Sequence, residues 1–242
     1  MEKQPLLSIF EKYYLNGIVE KVKLIIKDKT ITTHFLAPNK DLVGCVHSEN
    51  FECDDVELGI YDTSQLLKLI NITNQFITFD VLKEHNIATK LLIADNEYNL
   101  EYILADTTMI PNVPIVDEPI YDIEAELDLE FINKFIKAKK ALDAPLFSIT
   151  ATYNDNKAKI LRFTLGGTAG YTNKVIFDVP AQYEGIFNKV LQFDINYLKE
   201  ILDNNKDLEK GKLRLFNEGL MRIDFNSLAS QCHYILVAKE DV

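Results

Sequence analysis

A chain of 242 residues with a hydrophobic fraction of 47% can bury the core of one large domain or two small ones. Its formal net charge of −11 excludes an ordinary duplex-binding protein, which presents a broadly basic surface to phosphates. No apolar run approaches the roughly 20 residues that a membrane helix needs, and residues 1–5 lack the charged-then-apolar layout of a signal peptide, so a cytoplasmic protein without membrane contact is expected. Cys45, Cys53 and Cys232 form an odd set without paired spacing, as expected of thiols in a reducing compartment. No disulfide is expected. The acidic residues are spread along the chain among lysines, which assigns the charge to a folded surface and not to a disordered tail.

The first predicted element is a short helix over 5–15. Leu6, Leu7, Ile9, Phe10, Tyr13 and Tyr14 recur at near-helical spacing there, with Pro5 at its start and Gly17 past its end. From 18 to 51, β-branched runs such as 22–26 and 30–35 alternate with polar turns like Lys27-Asp28-Lys29, the pattern of antiparallel strands. Asp62 or Thr63 can cap a second helix carrying Leu66, Leu69 and Ile70 on one face. Strands resume over 76–106. Residues 109–120 contain Pro111, Pro114 and Pro119, which exclude a helix and mark an extended connection. The expected organisation is therefore domain 1–108, connector 109–120 and domain 121–242. After the connector the order repeats: a helix over 128–142, strands over 146–179, a helix over 194–204 and strands over 212–239.

The halves can be aligned residue by residue. Tyr61-Asp62 with Leu66, Leu69 and Ile70 matches Phe193-Asp194 with Leu198, Ile201 and Leu202, an offset of 193 − 61 = 132. Tyr102-Ile103-Leu104 matches Tyr234-Ile235-Leu236 at the same offset, since 234 − 102 is 132. A tandem duplication accounts for both.

This order, with the segments 56–67 and 189–202 where a strand leads through a capped turn into a helix, resembles the DNA sliding clamps: proliferating-cell nuclear antigen and the clamps of T-even-like bacteriophages. The ending 232–241 is also similar to the family's last strand and short acidic tail. The resemblance covers essentially the whole chain. It implies an α+β clamp fold of two similar domains, each with two inner helices packed on antiparallel sheets, assembling into a ring of three subunits. It further implies a polymerase processivity factor that is not an enzyme and uses no cofactor. Its partners would be duplex DNA held topologically, a DNA polymerase and a clamp loader. The compartment would be the cytoplasm, that of the infected host if the protein is viral.

The clamp reading also removes the objection from charge, because an encircling protein needs a positive lining only inside its hole. On a wheel of about 100° per residue, Lys134, Lys137 and Lys140 fall within an arc of about 120°, opposite Leu129, Ile132, Phe135 and Ile136, while Lys139 falls on the apolar side and is expected to snorkel. The other helices offer less, Lys12, Lys68 and Lys199 with Lys206 nearby, each accompanied by acids such as Glu11 and Glu200. These lysines are the expected DNA-facing set, Lys206 apart. By resemblance, a pocket for partner peptides would involve Ile110, Val113 and Ile115 of the connector with Tyr234, Leu236 and Val237 of the last strand. Head-to-tail subunit contacts would use edge strands over 99–105 and 173–179, with Leu100, Tyr102, Val175 and Phe177 at the interface. For each helix lysine the competing reading is an ordinary solvated face, and for each strand residue it is plain core.

Other chemistries are weakly represented. Gly166-Gly167-Thr168-Ala169-Gly170 lacks the ending of a phosphate loop and reads as a turn. Cys45, His47 and Cys53, even with Cys232 or His233, match no zinc spacing. Asn71-Ile72-Thr73 is a glycosylation sequon by letter only. No nucleophile elbow, metal-binding histidine pair or paired-carboxylate signature occurs. The alternatives to a clamp are a duplicated α/β interaction scaffold without DNA encirclement or, less favoured, a metal-dependent nuclease built from acids such as Asp54, Asp55 and Asp178.

Overall fold

The computed structural model describes residues 1–114, 116–117, 119–167, 173–185, 187, 189–227 and 230–239. Ile115, Thr168, Ala169, Gly170 and Asp241, which the sequence singled out, lie outside them. The chain divides into two compact units, 1–115 with 229–232, and 116–228 with 233–242.

The first unit opens with helix α1, Lys3–Tyr14, which buries Leu6, Leu7, Ile9, Phe10 and Tyr13. It ends at Leu15 and Asn16, both left-handed (φ 48° and 54°), one to two residues before the Gly17 that the sequence suggested as the stop. Strands β1 (Val22–Lys27), β2 (Thr30–Leu36), β3 (Leu42–Ser48) and β4 (Val56–Ile60) follow, then α2 (Thr63–Asn71), then β5 (Thr78–Glu84), β6 (Ile87–Ala94) and β7 (Asn99–Ile103). They form two antiparallel arrays, β4-β1-β2-β3 and β5-β6-β7. Strand β1 buries alternate residues Val22, Leu24 and Ile26, the period of a sheet with one face on a core. Gly59 of β4 passes so close to the Ala105 carbonyl that any side chain there would collide with it.

In the second unit β8 (Ile123–Leu127) precedes α3 (Leu129–Ala141), β9 (Leu146–Tyr153), β10 (Lys159–Gly166), β11 (Lys174–Pro180), β12 (Gln182–Tyr183), β13 (Leu191–Asp194), α4 (Ile195–Asp203), β14 (Lys210–Phe216), β15 (Leu220–Asn226) and β16 (Gln231–Val237). One array runs β11-β10-β9-β13 and the other β12-β8-β14-β15-β16. Between α3 and the first of these lies a phenylalanine cluster of Phe131, Phe135, Phe147, Phe163, Phe177 and Phe193. Phe163 and Phe177 stack at 5.3 Å between ring centres with planes 2° apart.

The 132-residue offset extends through the secondary structure. From α2 to α4 the starts differ by 195 − 63 = 132, from β5 to β14 by 210 − 78 = 132, and from β7 to β16 by 231 − 99 = 132. Helix pairs match as well: α1 packs on α2 within the first unit and α3 on α4 within the second. The architecture is α+β, sheet-rich, with two helices packed on antiparallel strands in each unit.

Candidate nucleic-acid interface

Among the described residues, three of the four α-helices begin with an aspartate that accepts a hydrogen bond from an unsatisfied backbone N–H of the first turn. Asp62 accepts from Gln65 at 2.8 Å, Asp128 from Phe131 at 2.7 Å and Asp194 from Asn196 at 2.8 Å. These caps fix where each helix starts and therefore which side chains face outward. The C-terminal carbonyls of α2 are held differently: the Lys3 ammonium donates to the carbonyls of Ile70, Asn71 and Thr73.

Helix α3 carries the clearest basic face. Lys134, Lys137 and Lys140 are exposed, while Phe131, Ile132, Phe135 and Ile136 are buried beneath them. Lys134 lies 3.4 Å from Glu130 one turn earlier, which leaves Lys137 and Lys140 as the freer charges. Lys139 is half-buried and donates to the Ala144 carbonyl at 3.2 Å. Leu129, which the wheel placed with the core, is 49% exposed at the first position of the helix.

The remaining expected lysines divide. Lys68 on α2 is exposed. Lys199 on α4 contacts Glu200 at 2.6 Å and Asp203 at 2.9 Å, and Lys206 takes the other oxygen of Asp203 at 2.6 Å. Burial disfavours ionisation of Asp203, yet the hydrogen bonds from both lysines outweigh it and hold its carboxyl below the usual range. Those two cations are therefore largely neutralised within the unit. Lys12 corrects the sequence reading. It is 1% exposed and its ammonium donates to Ser230 Oγ at 2.8 Å, so it is not part of a solvent-facing surface. It sits about 60° from Ile9 on the wheel, close enough to the apolar stripe to be covered.

The positions proposed for a peptide pocket are also corrected in part. Ile110, Tyr234 and Leu236 are buried, and the Tyr234 hydroxyl accepts from Asn205 Nδ2 at 2.9 Å. Their side chains are core, as the strand alternation allows for Tyr234 and as the turn after the 3-10 helix Thr107–Met109 enforces for Ile110. Val113 is half-buried and Val237 is exposed, so these two remain accessible. Met109 at 76% and Ile120 at 92% exposure are further apolar side chains that sequence reasoning did not single out. The segment is tethered where Lys23 Nζ donates to Asn112 Oδ1 at 2.9 Å.

Both expected edge segments end their arrays. Strand β7 pairs with β6 alone and β11 with β10 alone among the described strands. Their named side chains, however, point inward. The Tyr102 hydroxyl bridges the Asp62 amide and carbonyl at 3.0 and 3.1 Å, and burial pushes its pKa up to about 12. Phe177 belongs to the aromatic cluster, and Leu100 and Val175 are half-buried. What these strands offer outward is backbone, with Asn99, Glu101, Ile103, Lys174, Ile176 and Asp178 beside it.

Two of the acids considered for catalysis are engaged otherwise. Asp178 is held by Arg162 through two hydrogen bonds of 2.8 and 2.9 Å, and that pairing keeps its carboxyl below the ordinary range. Asp55 accepts from the Asp28 amide at 3.0 Å. Among the described residues no three of His, Cys, Asp and Glu gather as metal ligands, and no helix is long and apolar enough to cross a membrane.

This architecture is the DNA-clamp fold. Two solved structures share it along the whole chain. One is a proliferating-cell nuclear antigen of A. fulgidus with the C-terminal region of FEN-1 bound: TM-score 0.79, 14% identity, covering 100% of this chain and 98% of that one. The other is the proliferating-cell nuclear antigen of Entamoeba histolytica: TM-score 0.76, 17% identity, covering 99% and 97%. No protein-family model matches the chain, and no curated protein matches it in sequence.

Proposed function

We propose that this protein is a sliding clamp: three copies close head to tail into a ring around duplex DNA and tether a DNA polymerase and other replication proteins for processive synthesis, after a loader opens the ring. The observation that carries this is helix α3, which turns Lys134, Lys137 and Lys140 outward from a unit whose fold is that of a clamp domain, in a chain otherwise strongly acidic. A topological hold tolerates that acidity, since it needs only modest attraction from the lining, and strong phosphate clamping would oppose sliding. Partner peptides are assigned to the accessible apolar groups Met109 and Val113 of the first unit, in place of the buried positions expected from sequence. The resemblance of 56–67 and 189–202 to sliding clamps, those of T-even-like phages among them, supports a role in DNA replication, in the cytoplasm of an infected bacterium if the protein is viral.

The test combines mass and topology. Light scattering behind size exclusion over a wide concentration range should give a trimer, and loaded protein should stay on nicked circular DNA but leave when the circle is cut. A strict monomer at high concentration, or equal loss from circular and linear DNA, overturns the proposal. A monomer that nonetheless captures polymerase peptides would make it an interaction scaffold without encirclement.

A further inference from the structure

Taking the clamp reading as its basis, we propose a specific strand register for the contact between copies: β7 of one copy pairs antiparallel with β11 of the next so that Glu101 faces Ile176.

The phase of each open edge follows from hydrogen bonds inside the units. The Leu104 amide donates to Thr89, and the Tyr98 carbonyl accepts from Asp95, so even-numbered residues of β7 turn their backbone groups toward β6. Asn99, Glu101 and Ile103 therefore present N–H and C=O to the open side. The Ala105 amide also points away from β6 but is taken by the Gly59 carbonyl, which closes the edge beyond β7. On β11 the Ala181 amide donates to Lys159, so odd-numbered residues face β10, and Lys174, Ile176, Asp178 and Pro180 face outward.

An antiparallel pairing must then oppose an odd residue of β7 to an even residue of β11, which leaves four positions for Glu101. Opposite Pro180, the central pair lacks an N–H. Opposite Asp178, two carboxylates meet directly and Pro180 blocks the Asn99 pair. Opposite Lys174, Tyr102 faces Asn173, and Ile103 runs past the end of β11. Opposite Ile176, three complete pairs form: Asn99 with Asp178, Glu101 with Ile176, and Ile103 with Lys174. The inward rows then match Tyr98 with Val179, Leu100 with Phe177 and Tyr102 with Val175, all apolar contacts.

Charge supports the same register. Lys174 falls diagonally beside Glu101, already 2.6 Å from Lys90, and its aliphatic stem covers Ile103, while Asp178 keeps its own Arg162. Ile103 and Ile176, exposed in the single chain, are both covered.

The register is read by disulfide trapping in the full-length protein with Cys53→Ser, which removes the half-buried native thiol; Cys45 and Cys232 are buried. Glu101→Cys is combined in turn with Ile176→Cys, Asp178→Cys or Lys174→Cys. Directly opposed hydrogen-bonded residues lie about 5.5 Å apart at Cα, within disulfide range, whereas a shift of two residues exceeds it. Under mild oxidation the Ile176 pair should form covalent multimers at least about tenfold faster than either alternative. Faster trapping of the Asp178 or Lys174 pair in a protein that assembles overturns the register and leaves the clamp reading standing. A Cys53→Ser parent that stays monomeric by light scattering, with no pair trapped, overturns both.

Discussion

Replacing Lys134, Lys137 and Lys140 together with alanine should weaken attraction to duplex DNA by an amount that the geometry of α3 sets. At about 1.5 Å rise per residue the three ammonium groups span about 9 Å of helix, a length over which duplex DNA presents several phosphate charges. Each lysine that neutralises one phosphate adds about 0.9 to the slope of log binding constant against log salt. Lys134 shares its charge with Glu130 at 3.4 Å, so the face supplies between two and three such contacts. The slope should therefore fall by about 1.8 to 2.7 per subunit, which amounts to about 10- to 40-fold in affinity between 50 and 200 mM salt. Fluorescence anisotropy with a short duplex across that salt range measures it, with light scattering to establish that assembly is unchanged. A matched variant, Lys29→Ala with Lys83→Ala and Lys157→Ala, removes the same charge from exposed turns and strand ends of other elements. An unchanged slope in the α3 variant, or an equal fall in the matched one, would refute the assignment of α3 as the DNA-facing helix.

Other outcomes follow from the units themselves. Asp194→Ala removes the N-cap of α4 and should cost about 1 kcal/mol, lowering the melting temperature by about 2–4 °C in calorimetry, whereas Asp194→Asn should retain most of it. Phe163→Ala opens a cavity in the aromatic cluster and should cost about 3–5 kcal/mol, seen as a fall in urea midpoint without a change in m-value. Burial opposes ionisation of Asp224, but hydrogen bonds from Arg222 and Arg214 outweigh it and hold its carboxyl below the ordinary range. Its contribution is thus complete above the unfolded value of about 3.9 and is lost as pH falls through the lower folded value. Chemical denaturation from pH 6 to pH 2 should show stability falling with acid, and Asp224→Asn should flatten that limb; an identical pH profile in the variant would remove Asp224 as its source.

What was legible in the sequence was local and periodic, and what was not depended on distant cover. The 132-residue offset, the aspartate caps and the face of α3 are properties of contiguous residues, because a capping carboxylate and a wheel position act within one or two turns. That 99–105 and 173–179 would be edges came from the family resemblance alone, since strand composition does not tell an edge from a centre. Alternation places Tyr102 and Phe177 on the opposite face from Glu101 and Ile176, and only the partner strand reveals which face meets the core. Lys12 shows the same limit. A lysine at the border of an apolar stripe is exposed or buried according to what lies above it, and here that is Ser230, 218 residues away in sequence. Ile110 was assigned to an accessible connector because prolines forbid regular structure there, yet the absence of helix or strand does not keep a side chain in water. The consequence for function is that subunit recognition, on the clamp reading, rests on backbone groups and the alternate side chains beside them. Substituting Tyr102 or Phe177 would then disturb assembly both by loosening the unit beneath and through the apolar row they share with Val175 and Leu100, whereas Ile176 and Lys174 act at the contact alone.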